Sequence, residues 1–182
     1  MNAKKIFITG ASGCIGHYMA ETLIQETNHE LYLLVRNPEK LKFDWKARPG
    51  INIIQGDMRD IDRHSELLQT IDVAILAATA WGGTQEVLDV NVTKTLRLIQ
   101  LLSPQTCQQV IYFSTASILG RDNNLLKEAG ELGTDYISSK YKFMTQLSAL
   151  TNLPPITALY PTLVLGGDAE KPVSHLSSGL PL

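Results

Sequence analysis

The stretch Thr9-Gly10-Ala11-Ser12-Gly13-Cys14-Ile15-Gly16 decides the fold of this chain, because it stands between a strand-like run and a helical pattern. Glycines at such a junction let the backbone turn sharply and approach a ligand closely, and the free amides at the helix start can bind a pyrophosphate. The spacing and its context predict a dinucleotide site; a turn that needs glycine only for packing is the alternative. We expect the contacts to come from Gly10, Ser12, Gly13, Cys14, Ile15 and Gly16.

Short apolar or β-branched runs alternate with longer helical patterns along the rest of the sequence. The strand candidates are Lys4–Thr9, Glu30–Val35, Ile51–Gln55, Val73–Leu76, Val110–Ser114 and Ile156–Tyr160. This alternation is typical of βαβ units, so the sequence predicts an α/β Rossmann fold, a doubly wound parallel sheet in the strand order 3-2-1-4-5-6. We expect this domain to occupy residues 1–165. Residues 166–182 carry glycine and proline breakers, and we expect an irregular tail or the start of a further region there.

Three features of the helical regions are open to test. The pattern from Gln85 to Leu102 has an apolar surface broader than one sheet face requires, so this helix either contacts a second subunit in a homodimer or is buried within its own domain. Residues 117–133 lack convincing periodicity and are predicted to form an exposed loop. Thr134 or Asp135 could cap the helix that follows this loop.

The composition points to one globular unit with a small-molecule partner. The 182 residues are 44% hydrophobic, and 16 basic against 18 acidic side chains leave a formal charge of -2. No basic run indicates nucleic acid and no apolar stretch is long enough to span a membrane, so we expect neither partner, and a cytoplasmic protein. Cys14 and Cys107 lack a metal-site spacing, so no metal is expected and both are predicted to be reduced thiols.

The residues after the second and third strands would bind the adenosine end of the dinucleotide. Arg36 stands where an acidic residue would bind a ribose hydroxyl, and its guanidinium can pair with a 2′-phosphate, so NADP is favoured over NAD. Lys40 could assist it. The carboxylate of Asp57, which precedes Met58, could accept a hydrogen bond from the adenine amino group. The alternatives are an arginine without contacts and an aspartate that only supports a surface turn.

Tyr136 and Lys140 lie four residues apart in a helical pattern. Residues at this spacing share a helix face, so the phenol and the ammonium can enter one pocket. A nearby cation favours the phenolate and lowers the phenol's pKa from about 10 toward that of a useful acid or base. Downstream of a dinucleotide turn, the pair predicts redox chemistry; two solvated helix residues are the alternative.

These motifs together resemble the short-chain dehydrogenase/reductase family, in its extended branch of NAD(P)-dependent epimerases, dehydratases and reductases. The resemblance covers nearly the whole chain and includes three further segments in the expected order. They are Ala77-Ala78, which would lie beside the cofactor, Asn91-Val92, of which Asn91 would belong to the cofactor site as a structural support or a distant member of the catalytic set, and Phe113-Ser114-Thr115-Ala116-Ser117-Ile118-Leu119-Gly120, which would carry the catalytic hydroxyl.

The resemblance implies a role for each residue of the reacting centre. Tyr136 would be the acid or base, and Lys140 would lower its pKa and bind the nicotinamide ribose. Thr115 would hydrogen-bond the substrate oxygen, with Ser114 and Ser117 as rivals. A phenol and a hydroxyl can supply the proton transfer and the charge stabilisation that hydride transfer at a carbinol or carbonyl carbon requires.

The implied function is an oxidoreductase, with a non-catalytic NAD(P)-binding redox sensor or regulator as the alternative. Many sugar-nucleotide enzymes have a tyrosine where this chain has Leu119, and an Arg-Pro pair where it has Tyr160-Pro161. These two departures weaken the assignment to sugar-nucleotide substrates. Family members continue well beyond the sixth strand. We therefore expect the substrate region to be largely missing from these 182 residues, as in a truncated product or a naturally short chain.

Overall fold

A parallel sheet of six strands forms the centre of the computed structural model, which describes residues 2–175. The strands are β1 (Lys5–Thr9), β2 (Glu30–Val35), β3 (Ile51–Gln55), β4 (Val73–Leu76), β5 (Gln109–Phe113) and β6 (Ile156–Leu159). Their order is β3-β2-β1-β4-β5-β6, and every neighbouring pair is parallel. The predicted Rossmann fold and strand order are confirmed, and each predicted strand boundary lies within one residue of the observed one.

Helices connect the strands and pack on the sheet. They are α1 (Cys14–Glu26), α2 (Ser65–Leu68), α3 (Thr84–Leu88), α4 (Thr95–Leu101), α5 (Lys127–Glu131) and α6 (Asp135–Leu147). Three 3-10 segments, Pro38–Lys40, Met58–His64 and Ala116–Ile118, and a π-helical segment, Asp89–Lys94, complete the set. Two apolar clusters result, one on each side of the central strands. Strands covered on both faces read as nearly continuous apolar runs, which is why their periodicity in the sequence is weak.

The helix predicted from Gln85 to Leu102 is interrupted by the π-helical segment Asp89–Lys94. Just after this segment, the Thr95 hydroxyl donates to the Val90 carbonyl, five residues back, over 2.7 Å. The apolar side chains of α3, α4 and the π-helical segment are mostly buried within this chain, which favours a helix packed in its own domain over a subunit contact.

The exposed loop predicted for residues 117–133 is wrong in part, because α5 lies within it. Ala129 of α5 is buried, and Gly130 lies so close to the Tyr141 ring on α6 that an added Cβ would be 2.5 Å from it. A helix of five residues has too few turns to show a hydrophobic period, and packing on α6 stabilises it instead. Thr134 caps α6, accepting a hydrogen bond from the Ile137 amide, as predicted.

The segment after β6 crosses the outer side of α1. Lys171 donates to the Glu21 carboxylate over 2.6 Å, and the Ser174 amide donates to the Gly166 carbonyl over 2.9 Å. The predicted irregular tail, 166–182, is therefore irregular as far as His175, and its last seven positions lie outside the described residues. Within residues 2–175, no helix combines the length and the apolar character that crossing a membrane demands.

Tyr112 is among the buried residues with an unmet side-chain hydrogen-bonding group in the described part of the chain. Tyr112 of β5 is 2% exposed and packs against Phe143, but its hydroxyl has no hydrogen-bond partner among residues 2–175. Burying a hydroxyl without a partner costs free energy that an apolar side chain of the same shape avoids.

We therefore expect Tyr112→Phe to keep or raise the free energy of unfolding, by up to about 1 kcal/mol. Urea denaturation followed by circular dichroism measures the change. A loss of stability of about 1 kcal/mol or more would instead show that the hydroxyl is hydrogen-bonded in solution.

Candidate active site

A cleft of about 1020 Å³ opens along the carboxyl edge of the sheet. It lies between β1 and β4, where the strand order reverses, and this is where doubly wound sheets bind ligands. Its wall comes from the glycine turn, the ends of β2 and β3, the loops after β4 and β5, the start of α6 and the segment after β6. Every predicted site residue lines it except Asn91.

The glycine turn brings three backbone segments into contact. Gly10 has a φ of +75°, and a Cβ there would lie 2.6 Å from the Ala77 carbonyl carbon and the Ala78 nitrogen. At Gly16, a Cβ would overlap the Gly10 carbonyl. Only glycine fits either position. The N-cap of α1, Gly13, makes no side-chain cap, so amides at the helix start are available to an anion and the turn fits a pyrophosphate.

The end of the cleft beside β2 and β3 carries charge of both signs. Arg36 is 71% exposed, and its closest acidic partner, Glu86, lies 3.8 Å away. Asp57 has closer partners than Arg36 has. Its carboxylate accepts hydrogen bonds from the amide, Nε and Nη2 of Arg59 over 2.8–3.0 Å. Arg59 thereby lowers the pKa of Asp57. Sequence reasoning missed Arg59, although its place two residues after an aspartate that begins a helical turn was a usable signal.

Asn91 is buried behind the cleft wall. Its amide donates to the Ala80 carbonyl over 3.0 Å and to the Ser139 hydroxyl over 3.1 Å, and its oxygen accepts from the Ala80 amide over 2.7 Å. These bonds fix the loop after β4 to α6, the helix that carries the tyrosine and lysine pair. Asn91 therefore lies away from the cleft surface, in a supporting position, and does not line the cleft as expected for a cofactor-binding residue.

Tyr136 and Lys140 face the cleft from the first turns of α6. Lys140 is 3% exposed, its Nζ donates to the Phe113 carbonyl over 2.8 Å, and it lies 5.7 Å from the centre of the Tyr136 ring. Desolvation by burial lowers the pKa of Lys140 to about 7. Burial raises the pKa of Tyr136, and Thr115 partly offsets that increase, so the lowering expected from Lys140 is not found.

Thr115 lines the cleft with Tyr136 and lowers the pKa of its phenol. It is buried, and its oxygen lies 3.2 Å from the Ser117 hydroxyl. Ser114 and Ser117 also line the cleft, and the Ser114 hydroxyl has no hydrogen-bond partner among residues 2–175. Both serines remain rivals, but the effect of Thr115 on the pKa of Tyr136 favours Thr115.

Sequence reasoning missed an aromatic stack at the mouth of the cleft. The Trp81 ring lies parallel to the Tyr136 ring at 4.0 Å, and its other face lies 4.1 Å from His175. Trp81 remains 47% exposed. It follows the small residues after β4, where a lone tryptophan beside glycines was the available signal. The stack covers one face of the phenol and limits its contact with water.

Comparison with known proteins identifies the family of this chain. Residues 6–178 match the model of the NAD dependent epimerase/dehydratase family. The chain belongs to this family. It is 31% identical over 100 residues to an isoflavone reductase homolog of Nicotiana tabacum, a match that covers 52% of this chain and 31% of that protein. It is 30% identical over 131 residues to a UDP-glucose 4-epimerase of Klebsiella pneumoniae, covering 64% of this chain and 92% of that protein.

Solved structures show the same fold. The Bordetella bronchiseptica enzyme WbmH in complex with NAD+ superposes with a TM-score of 0.74 at 19% identity, covering 90% of this chain and 57% of that one. UDP-glucuronic acid 4-epimerase of Bacillus cereus in complex with NAD gives a TM-score of 0.73 at 22% identity, covering 89% and 57%. The epimerase/dehydratase chain described here thus spans little more than half of these structures.

Replacing the buried amide tests its role as a support. Asn91→Ala should lower the free energy of unfolding by about 3 kcal/mol, because it leaves the Ala80 amide and carbonyl buried without partners. Urea denaturation measures the loss. The surface change Asn124→Ala is the matched control and should cost less than about 0.5 kcal/mol. Equal, small losses in the two variants would contradict the role assigned to Asn91.

Proposed function

We propose that this protein is an NAD(P)-dependent oxidoreductase of epimerase, dehydratase or reductase type, which acts on a carbinol or carbonyl group through Tyr136, Lys140 and Thr115. One observation carries the proposal: a phenol, a buried ammonium and a hydroxyl meet in the cleft that begins at the glycine turn. The family match supports the same reaction class. Residues 1–165 would form the cofactor-binding domain, and the substrate would be a small molecule.

The bound nicotinamide would supply or accept the hydride at the substrate carbon. In the reducing direction Tyr136 donates its hydroxyl proton to the substrate oxygen as the carbon gains the hydride, and a phenolate remains. The ammonium of Lys140 stabilises this phenolate, and a proton from water restores the phenol. Thr115 donates a hydrogen bond to the same substrate oxygen and stabilises the charge that develops there.

Burial prepares the phenol for the acid step. A raised pKa keeps Tyr136 protonated at neutral pH, so it can donate a proton in reduction. For the oxidising direction the phenolate must form, and a charged Lys140 nearby favours it. Because the pKa of Lys140 is about 7, oxidation should depend on pH in the neutral range.

The relatives suggest two substrate groups for the family site. The Klebsiella relative and the Bacillus structure are named as epimerases of nucleotide sugars. The tobacco relative is named as a homolog of a reductase, which points to a substrate that is reduced. Leu119 and Tyr160 depart from the pattern of sugar-nucleotide enzymes, which favours a reductase for this chain. Arg36, at the end of β2, is consistent with a reductase, because its guanidinium can bind the 2′-phosphate of NADP.

NADP is the proposed cofactor, with NAD as the second choice. Arg36 and Lys40 both line the cleft at the end where the adenosine ribose would lie. The ion pair of Arg36 with Glu86 is long and exposed, so a 2′-phosphate could replace it at little cost. A guanidinium can bind phosphate through two parallel hydrogen bonds.

Removing one oxygen atom tests the catalytic assignment. Tyr136→Phe should lower turnover by about a hundredfold or more, because it removes the proton donor, and should change the affinity for NADPH by less than about twofold. Oxidation of NADPH in the presence of a panel of ketones, aldehydes and nucleotide sugars measures turnover, and fluorescence titration measures affinity.

Tyr141→Phe, on the same helix, is the matched control and should keep full activity. Unchanged turnover in Tyr136→Phe would refute the catalytic role of the phenol. If the unaltered chain binds NADPH tightly but turns over no member of the panel, the non-catalytic regulator becomes the better account.

Cofactor choice is tested at the end of β2. Arg36→Gln should weaken binding of NADPH by about tenfold and leave NADH within about twofold, because only the former has the 2′-phosphate. Arg63→Gln is the control, since Arg63 is exposed and pairs with Asp60 away from the cleft. Equal losses of affinity for NADPH and NADH would show that Arg36 does not bind the 2′-phosphate.

A further inference from the structure

The ammonium of Lys140 is buried with too few hydrogen-bond acceptors. An ammonium has three N–H donors, and the only acceptor that residues 2–175 offer Nζ is the Phe113 carbonyl at 2.8 Å. No carboxylate lies within ion-pair distance of it in the part of the chain that the structure describes. A charge so placed favours its neutral form unless another group stabilises it.

Two aromatic rings lie beside this nitrogen. The Tyr112 ring centre is 4.8 Å from Nζ and the Tyr136 ring centre is 5.7 Å from it. Both distances are within the range in which a ring face attracts a cation, and the attraction is largest where water is excluded. Tyr112 is the nearer of the two and is 2% exposed.

We propose that Tyr112 is a positioning residue of the reaction, whose ring face stabilises the ammonium of Lys140 and fixes it next to Tyr136. This inference rests on the proposed function, since it explains how that lysine stays charged. Nothing else in the position of Tyr112 requires a tyrosine: its hydroxyl is buried and has no partner among the described residues. The ring, and not the phenol oxygen, is the part that acts.

The other titratable groups around this contact are phenols. Tyr136 faces Lys140 from its own helix. Tyr160, after β6, contributes to the raised pKa of Tyr112. Burial holds the pKa of Tyr112 well above its usual value, so it stays neutral through the physiological range. The ring therefore acts on Lys140 as a neutral aromatic face, and its effect does not itself change with pH.

The contact between the Tyr112 ring and Lys140 would set the pH range in which Lys140 is charged. Burial lowers the pKa of Lys140 to about 7, so a modest further change decides whether it is charged at neutral pH. Loss of the aromatic face removes a stabilising contact from the charged form only. The pKa of Lys140 would fall, and the phenolate of Tyr136 would lose its counter-charge at neutral pH.

The experiment measures that pKa directly. The Cε chemical shift of Lys140 in protein labelled with ¹³C-lysine is followed against pH by NMR without cofactor or substrate, and Lys140→Arg identifies the signal. Tyr112→Leu should lower the pKa of Lys140 by about one pKa unit, a tenfold change in the proton-binding constant. Tyr112→Phe keeps the ring and should leave the pKa where it is.

Two further variants separate the ring effect from packing. Phe143→Leu removes the ring packed at a tilt against Tyr112, with ring centres 4.1 Å apart, but no ring that faces Nζ, so it should not change the pKa of Lys140. Phenylalanine with three ring fluorines at position 112 keeps the ring's shape while weakening its attraction for a cation, and should lower the pKa as Tyr112→Leu does. This variant replaces Tyr112→Leu if the leucine prevents folding.

An unchanged pKa in the fluorinated variant, or an equal fall in Phe143→Leu, would overturn the proposal. Its failure is distinct from failure of the proposed function, because the NMR titration requires no turnover. Turnover that survives in Tyr136→Phe would refute the function even if the pKa of Lys140 follows the ring at position 112.

Discussion

The close approach of Gly10 to the backbone after β4 is the constraint on which the rest of the site depends. With a φ of +75° and no room for a Cβ beside Ala77 and Ala78, Gly10 lets β1 and β4 lie side by side while their continuations separate. That separation opens the cleft, and Gly16 lets α1 begin directly at its edge. Tyr136, Lys140 and Thr115, the proposed reacting groups, line this cleft, which lies where the strand order reverses.

The proposed reacting centre contains a buried charge and contacts that partly offset the free-energy cost of burying it. Burying the ammonium of Lys140 disfavours its charge, and the Phe113 carbonyl and the Tyr112 ring are the groups that the described chain supplies in return. Asn91 fixes the helix that carries the lysine to the loop after β4 through its bonds to Ala80 and Ser139. A polar network of this kind, fully satisfied and buried, keeps the site in one arrangement.

Most of the fold and much of the site could be predicted from local patterns. The glycine turn, the strand runs and the tyrosine-lysine spacing depend on residues close in sequence, and the structure places nearly all of them in one cleft. Helix α5 was missed because five residues show no period, and the π-helical segment because its extra residue leaves the apolar composition unchanged. Trp81 and Arg59 were missed because their importance lies in which neighbours they contact.

The sequence by itself determined the parallel sheet and its cofactor-type turn, because strand and helix periods and the need for glycine are local properties of the chain. Only the tertiary structure decided which hydroxyl approaches Tyr136, what surrounds Lys140 and that Asn91 lies behind the cleft wall. These relations join residues far apart along the chain, and burial sets their energies. Burial arises only when the segments pack together, so no local pattern contains it.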